Sequence, residues 1–300
     1  MKRKISTSIF LTLLVLILCS CSNRNSTFNI QFINVGQGDS ALVECDGHYM
    51  LIDAGDKAHG EKVLDVLQSN DISRLDILAL SHLHNDHYGG LITVLPSISK
   101  IDLTISNEKF PTSDDEPSKS NEFEQIDTEL NKIGTAIKVP SPGDTYSLGS
   151  AKIEVIDSTA IANNDSLVLL ITYGKTRFLF TGDIEEEALI RVYQKYRKNY
   201  NDKFKIDVLK LPHHGACSDD ACYNNALYAS LDTFLPDYVI ISVGSGNKHG
   251  HPRPQTINLL ENSARKWEEG KTYFRTDLNG TITVKSDGNK VDVFPQYRQN

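Results

Sequence analysis

Ile77-Leu78-Ala79-Leu80-Ser81-His82-Leu83-His84-Asn85-Asp86-His87-Tyr88-Gly89-Gly90 is the stretch on which the reading of this chain turns. Its first four residues form a short continuous apolar run that stops at Ser81, the pattern of a strand buried on both faces. Three histidines and one aspartate then fall within six positions. Imidazole and carboxylate are ligands suited to Zn²⁺ or Mn²⁺. On a loop turning sharply into a helix, alternate side chains diverge, so one stretch can serve two metal positions. Gly89 and Gly90 permit close backbone approach where that turn is made. The cluster lies at a strand's carboxyl end, where layered α/β folds commonly carry their sites.

Working outward, strand patterns are predicted at Ile30–Val35, Ser40–Glu44 and Tyr49–Asp53, separated by Gly-Gln-Gly-Asp and Asp-Gly turns. Glu61–Ser69 and Glu122–Ile133 have helical spacing, with a polar loop over 107–121 between them. Strands resume at Lys152–Ile156, Leu167–Tyr173 and Arg177–Thr181. A helix over Ile184–Lys198 carries acids in its first turn and bases in its last, matching the helix dipole. Val208–Leu211, Tyr238–Val243, Gly280–Val284 and Lys290–Val293 complete the β content. Two successive sets of strands and helices imply two facing sheets flanked by helices.

Other chemistry-bearing residues recur after apolar strands. They are Asp53 in Leu51-Ile52-Asp53-Ala54-Gly55, Asp183 in Phe180-Thr181-Gly182-Asp183, and the pair in Leu211-Pro212-His213-His214-Gly215. With the His-x-His-x-Asp-His-x-Gly-Gly stretch, these resemble the motif series of the metallo-β-lactamase superfamily over roughly residues 28–295. The finer resemblance is to the metallo-hydrolase domain of competence DNA-uptake (ComEC-type) proteins. It rests on Val35-Gly36-Gln37-Gly38-Asp39-Ser40, Asn164-Asp165-Ser166-Leu167-Val168, Pro212-His213-His214-Gly215 and Gly250-His251-Pro252. A phosphorylcholine-esterase branch is similar there too. The chain departs from this branch at His249, where Tyr is more usual, and at Ala216, where Ser is.

The resemblance implies a single α/β domain, a four-layer αβ/βα sandwich, over 28–297, with two divalent metal ions, Zn or Mn. His82 and His84 would bind one ion, Asp86 and His87 the other, and Asp183 would bridge them. His213 is the first choice to complete the second site, and His214 is the alternative ligand or a proton carrier. Asp53 would orient the ligands from behind, and Asn164 falls near the place where many relatives supply another histidine. Asp86 would also orient the attacking hydroxide. His251 would donate a proton or hold a substrate oxygen, a structural loop histidine being the alternative. The implied reaction is two-metal hydrolysis of a phosphodiester, nucleic acid being the sharpest version. The alternatives are another ester, phosphocholine, lactone or β-lactam substrate, or a non-catalytic metal-binding lipoprotein.

Lys2, Arg3 and Lys4 precede an apolar run, Ile9–Leu18, that is short for a membrane span. This is a secretory-signal pattern over 1–20. Leu18-Cys19-Ser20-Cys21 resembles a lipobox, with Cys21 as the lipidated residue and 21–27 as a tether; a plain signal peptide is the other reading. The expectation is an extracytoplasmic lipoprotein that meets the membrane through its N-terminal lipid only and has no obligate protein partner. Removing residues 1–20 takes away three positive charges and no acids, moving the net charge from −8 to −11. Such a body disfavours sequence-independent nucleic-acid binding, which relies on Lys and Arg neutralising phosphates. An extracytoplasmic address allows a Cys217–Cys222 disulfide with Cys45 left in a strand, or three free thiols.

Overall fold

A computed structural model describes residues 27–111, 120–160, 165–200, 205–216, 221–263 and 265–298. Cys21, Asn164 and Cys217, named above, lie outside them. Two sheets face one another. The first orders its strands as Val291–Pro295 (β15), Ile282–Ser286 (β14), Phe28–Phe32 (β1), Ala41–Cys45 (β2), His48–Ile52 (β3), Arg74–Leu80 (β4), Lys100–Ser106 (β5) and Ile137–Lys138 (β6). The second runs Tyr273–Arg275 (β13), Tyr238–Ile241 (β12), Val208–Lys210 (β11), Thr176–Phe180 (β10), Val168–Tyr173 (β9), Ala151–Asp157 (β8) and Thr145–Leu148 (β7).

Period-2 alternation explains why each strand serves two cores. In β4, Ile77 and Ala79 face the opposite sheet while Leu78 and Leu80 face helices. In β10, Phe178 and Phe180 point inward and Leu179 outward. Aromatic pairs join the sheets: Phe28 stacks on Phe178 at 4.7 Å between centroids, and Phe32 on Phe180 at 5.6 Å. Gly60–Ser69 (α1), Asn85–Tyr88 (α2), Leu91–Val94 (α3) and Ser120–Ile133 (α4) belong to the first half. Glu186–Tyr200 (α5), Ala221–Phe234 (α6) and Pro254–Asn262 (α7) cover the second sheet, through Leu189, Val192, Leu231 and Leu260 among others. The result is the expected four-layer sandwich in one domain. Among the described residues no helix is long and apolar enough to cross a membrane.

β3, β4 and β5 are mutually parallel, as are β10, β11, β12 and β13. The loops leaving the carboxyl ends of β3, β4, β10 and β11 carry Asp53, His82–His87, Asp183 and His213–His214. Strand direction therefore delivers residues more than a hundred positions apart to one rim.

Candidate metal centre

His82 follows β4 after Ser81, and His84 immediately precedes α2. This loop is tied to its neighbours by backbone bonds: Ala54 N donates to His87 O (2.7 Å) and Asp39 N to Asp86 O (3.1 Å). Two glycines make the approach possible. A Cβ on Gly90 would lie 2.0 Å from Ala54 O, and one on Gly38 would lie 2.4 Å from Asp86 O.

Behind the loop, Asp53 is buried and accepts from Ser81 N and Ser81 Oγ, both at 2.7 Å, and from His87 Nδ1 at 2.9 Å. That last bond fixes the His87 tautomer and turns Nε2 toward the centre, 3.2 Å from Asp183 Oδ2. Asp183, at the end of β10, is held in place by a bond from its backbone N to Ser166 Oγ (2.9 Å). His82 and His84 sit edge to face, with Nε2 of the first 2.9 Å from Nδ1 of the second.

The two histidines after β11 part company. Both take left-handed backbone, with φ 47° and 54°, a conformation that non-glycine residues hold only when their surroundings impose it. His214 turns inward: it is 1% exposed, its Nδ1 donates to Ser242 O (2.9 Å), and its Nε2 lies 3.3 Å from both Asp86 Oδ2 and Asp183 Oδ2. His213 is only half-buried. Its Nδ1 meets Glu185 Oε1 at 2.6 Å, and its Nε2 stands 3.8 Å from Asp183 Oδ2. Of the two histidines named for this place, His213 is the first choice as ligand from the sequence; the turn sends the His214 ring to the centre and the His213 ring to the rim.

Potential ligand atoms of His82, His87 and Asp183 lie within 4.8 Å of one another, as do those of Asp86, His87 and His214. Tetrahedral zinc with bonds of about 2.0–2.1 Å places its ligand atoms roughly 3.3 Å apart, close to the His87–Asp183, His214–Asp183 and His214–Asp86 separations. His214 Nε2 is buried without a hydrogen-bond partner. An orphaned ligand atom of this kind fits a divalent ion, and Asp183 Oδ2 lies between the two groups.

The electrostatics agree. Burial, reinforced by neighbouring His87, holds His82 well below the ordinary histidine range, so its ring is neutral. For His87 and His214, burial opposes the charged form, but Asp183 outweighs it with help from Asp53 and Asp39 respectively, and both are held well above that range. Asp86 and Asp183 resist burial through His214 and His87 and stay ionised. Burial pushes Asp53 up despite the attraction of His87.

His251 stands at the rim, its ring 5.5 Å from that of His213 and 6.4 Å from that of His214. Asn247 pins its backbone at both N and O. Burial, then the surrounding positive charges, lower it to about 4. A neutral imidazole suits holding a substrate oxygen better than delivering a proton. Two groups given no site role from the sequence are inside the site: Asp39, quoted only within the Val35–Ser40 motif and its turn, and Lys210, a lone charge in the apolar strand Val208-Leu209-Lys210-Leu211.

Residues 33–222 match the family model for the metallo-beta-lactamase superfamily. The chain belongs to that superfamily. Its histidine and carboxylate groups are those of a metal-dependent hydrolase. It is 29% identical over 295 residues to ComE operon protein 3 of Bacillus subtilis (strain 168), covering 91% of this chain and 35% of that protein. It is also 28% identical to Recombination protein 2 of Haemophilus influenzae, covering 84% of this chain and 30% of that one. The chain thus spans about a third of the length of these relatives. Among solved structures, the metallo-beta-lactamase fold protein YhfI of Bacillus subtilis superposes with a TM-score of 0.55 at 12% identity, covering 87% of this chain and 100% of YhfI. CmlA, a diiron beta-hydroxylase from Streptomyces venezuelae, gives 0.53 at 15%, covering 90% and 54%. These two share the fold.

Proposed function

We propose that this metallo-β-lactamase superfamily member is a two-metal phosphodiesterase that acts outside the cytoplasm, with nucleic acid as the leading substrate. The observation that carries the reading is Asp183, whose carboxylate lies between the His82–His87 group and the Asp86–His214 group. His82, His84 and Asp183 would hold one ion; Asp86, His87 and His214, with Asp183 shared, would hold the other. Zn or Mn suits these donors. Such a pair would supply a water of lowered pKa and positive charge to balance the negative charge developing on the substrate.

The chain's own residues do the rest. Asp53 locks the His87 ring, and Ser242 O locks that of His214, so neither must reorganise during the reaction. Asp86, kept ionised by His214 and His87, presents Oδ2 to the centre, where it would orient the attacking oxygen. His251 holds a non-bridging substrate oxygen at the rim. Lys248 and Arg253 are exposed on the same loop and supply local positive charge on an acidic protein, which favours a phosphodiester over a neutral ester. Similarity to proteins named for the ComE operon, recombination and competence supports nucleic acid within that class. The lipobox-like Cys21 supports attachment to the outer face of the membrane through lipid.

Purified protein reconstituted with Mn²⁺ or Zn²⁺ is tested on bis(p-nitrophenyl) phosphate, single-stranded DNA and nitrocefin. Turnover of the first two, abolished in Asp183→Asn, is the expected result; hydrolysis of nitrocefin alone overturns the substrate class. Stoichiometric metal without turnover of any ester would favour a binding lipoprotein. Mass spectrometry of a membrane fraction checks the lipid on Cys21, and an unmodified Cys21 rejects the anchor.

A further inference from the structure

The ions proposed above use one side of Asp183. On its other side lies a charge that the proposed chemistry leaves unused. Lys210, the last residue of β11, is 3% exposed. Its ammonium donates to the Asp39 carboxylate and to Gly182 O (3.0 Å), and stands 3.6 Å from Asp183 Oδ1. Asp39 is also buried, and its Oδ1 lies 3.5 Å from His214 Nδ1. Phe32, Ile52, Leu167 and Phe180 wall this interior. In such surroundings an unpaired charge is strongly disfavoured.

Potential ligand atoms of Asp39, Asp183 and His214 also fall within 4.8 Å of one another, the spacing of a cation site. Asp39 Oδ1 and Asp183 Oδ1 are buried without hydrogen-bond partners. Lys210 already faces three oxygens of this cradle, from Asp39, Asp183 and Gly182, as a bound cation would. We propose that Lys210 is the built-in cation of the centre. It closes the Asp39–Asp183 cradle to a third divalent ion and keeps Asp39 out of coordination. By attracting Oδ1 across 3.6 Å it favours the orientation of Asp183 in which Oδ2 faces His87 and His214. It is a positioning residue, and its task is to fix the number of ions. This inference rests on the two-ion reading of the site.

The test compares full chain, Lys210→Met and Asp39→Asn/Lys210→Met, titrated with Mn²⁺ and followed by metal content and by thermal unfolding of the metal-free forms. The unsubstituted chain should saturate at two equivalents. Lys210→Met should take up one more and melt lower without metal, because Asp39 then lacks its cation. The double variant removes the carboxylate as well as the ammonium, and should return to two equivalents and recover most of the stability. Saturation of Lys210→Met at two, or a double variant no more stable than the single one, overturns the role of Lys210. Should Lys210→Met fail to fold, the double variant must still fold and bind two ions, and its failure overturns the proposal too. An unsubstituted chain that binds no Mn²⁺ would instead defeat the two-ion reading itself.

Discussion

Exchanging His213 and His214 for alanine one at a time separates two residues that adjoin in sequence but diverge in space. His214 Nε2 is buried and lies 3.3 Å from both Asp86 Oδ2 and Asp183 Oδ2. Full zinc coordination in small folded sites is worth about 10–16 kcal/mol, so one ligand in four contributes roughly 2.5–4 kcal/mol. His214→Ala should therefore weaken binding of the second ion by roughly two to three orders of magnitude. It also leaves Asp86 and Asp183 facing one another without the imidazole that favours their ionised forms. His213→Ala removes a half-buried ring paired with Glu185, an exchange expected to cost about 1 kcal/mol of stability or less. Affinity is read by competition with a chelator of known strength, and folding by far-ultraviolet circular dichroism. Loss of metal from His213→Ala with retention in His214→Ala would refute the assignment, because the inward turn at His214 is its whole basis.

Loading the metal should release protons. In the metal-free protein the raised His87 and His214 values mean that their pairing with Asp183 stabilises the fold fully below the unfolded histidine value, and that this contribution is lost as pH rises through their folded values. Metal requires the neutral rings, so apparent affinity should keep climbing across the interval above the ordinary histidine value of 6.5. Calorimetry in buffers of different ionisation enthalpy counts the protons, and an affinity flat across that interval contradicts the shifts. Asp39 shifts the other way: burial raises it, but Lys210 and His214 outweigh this and bring it to about 2. Its stabilising contribution is present above the unfolded value near 3.8 and lost as pH falls toward 2, so acid unfolding of Asp39→Asn should show a weaker pH dependence there. Gly90→Ala should destabilise by about 1–3 kcal/mol, since the new methyl meets a backbone carbonyl that cannot swing aside. Urea denaturation measures that, and an unchanged midpoint would mean the loops at Ala54 and Gly90 are less tightly joined than their geometry requires.

Legibility in the sequence followed how local each determinant is. The β4 strand, the His82–His87 loop and the helices at 60–69, 120–133 and 186–200 are specified by their own periodicity and end charges, and they stand where that pattern puts them. β5, β7 and β13 were not legible. β5 alternates exposed Lys100 and Asp102 with buried Ile101, and β13 is three residues long; each becomes a strand through its neighbour's ladder rather than its own composition. The site divides the same way. Asp53, Asp183 and the histidine cluster follow apolar runs, so context marks them. The choice between His213 and His214 depends on two left-handed residues in succession, a conformation with no compositional signature outside glycine and asparagine. Lys210 is the deeper case. Read along the chain, a lysine in Val208-Leu209-Lys210-Leu211 looks like the polar side of a half-exposed strand. Only the facing sheet, which brings Asp39 beneath it, makes a buried ammonium the favourable arrangement. A lone charge in a strand that is otherwise apolar on both faces, in a chain whose motifs already predict converging carboxylates, is therefore a signal in its own right: the carboxylates need a counter-charge that stays when the ions leave.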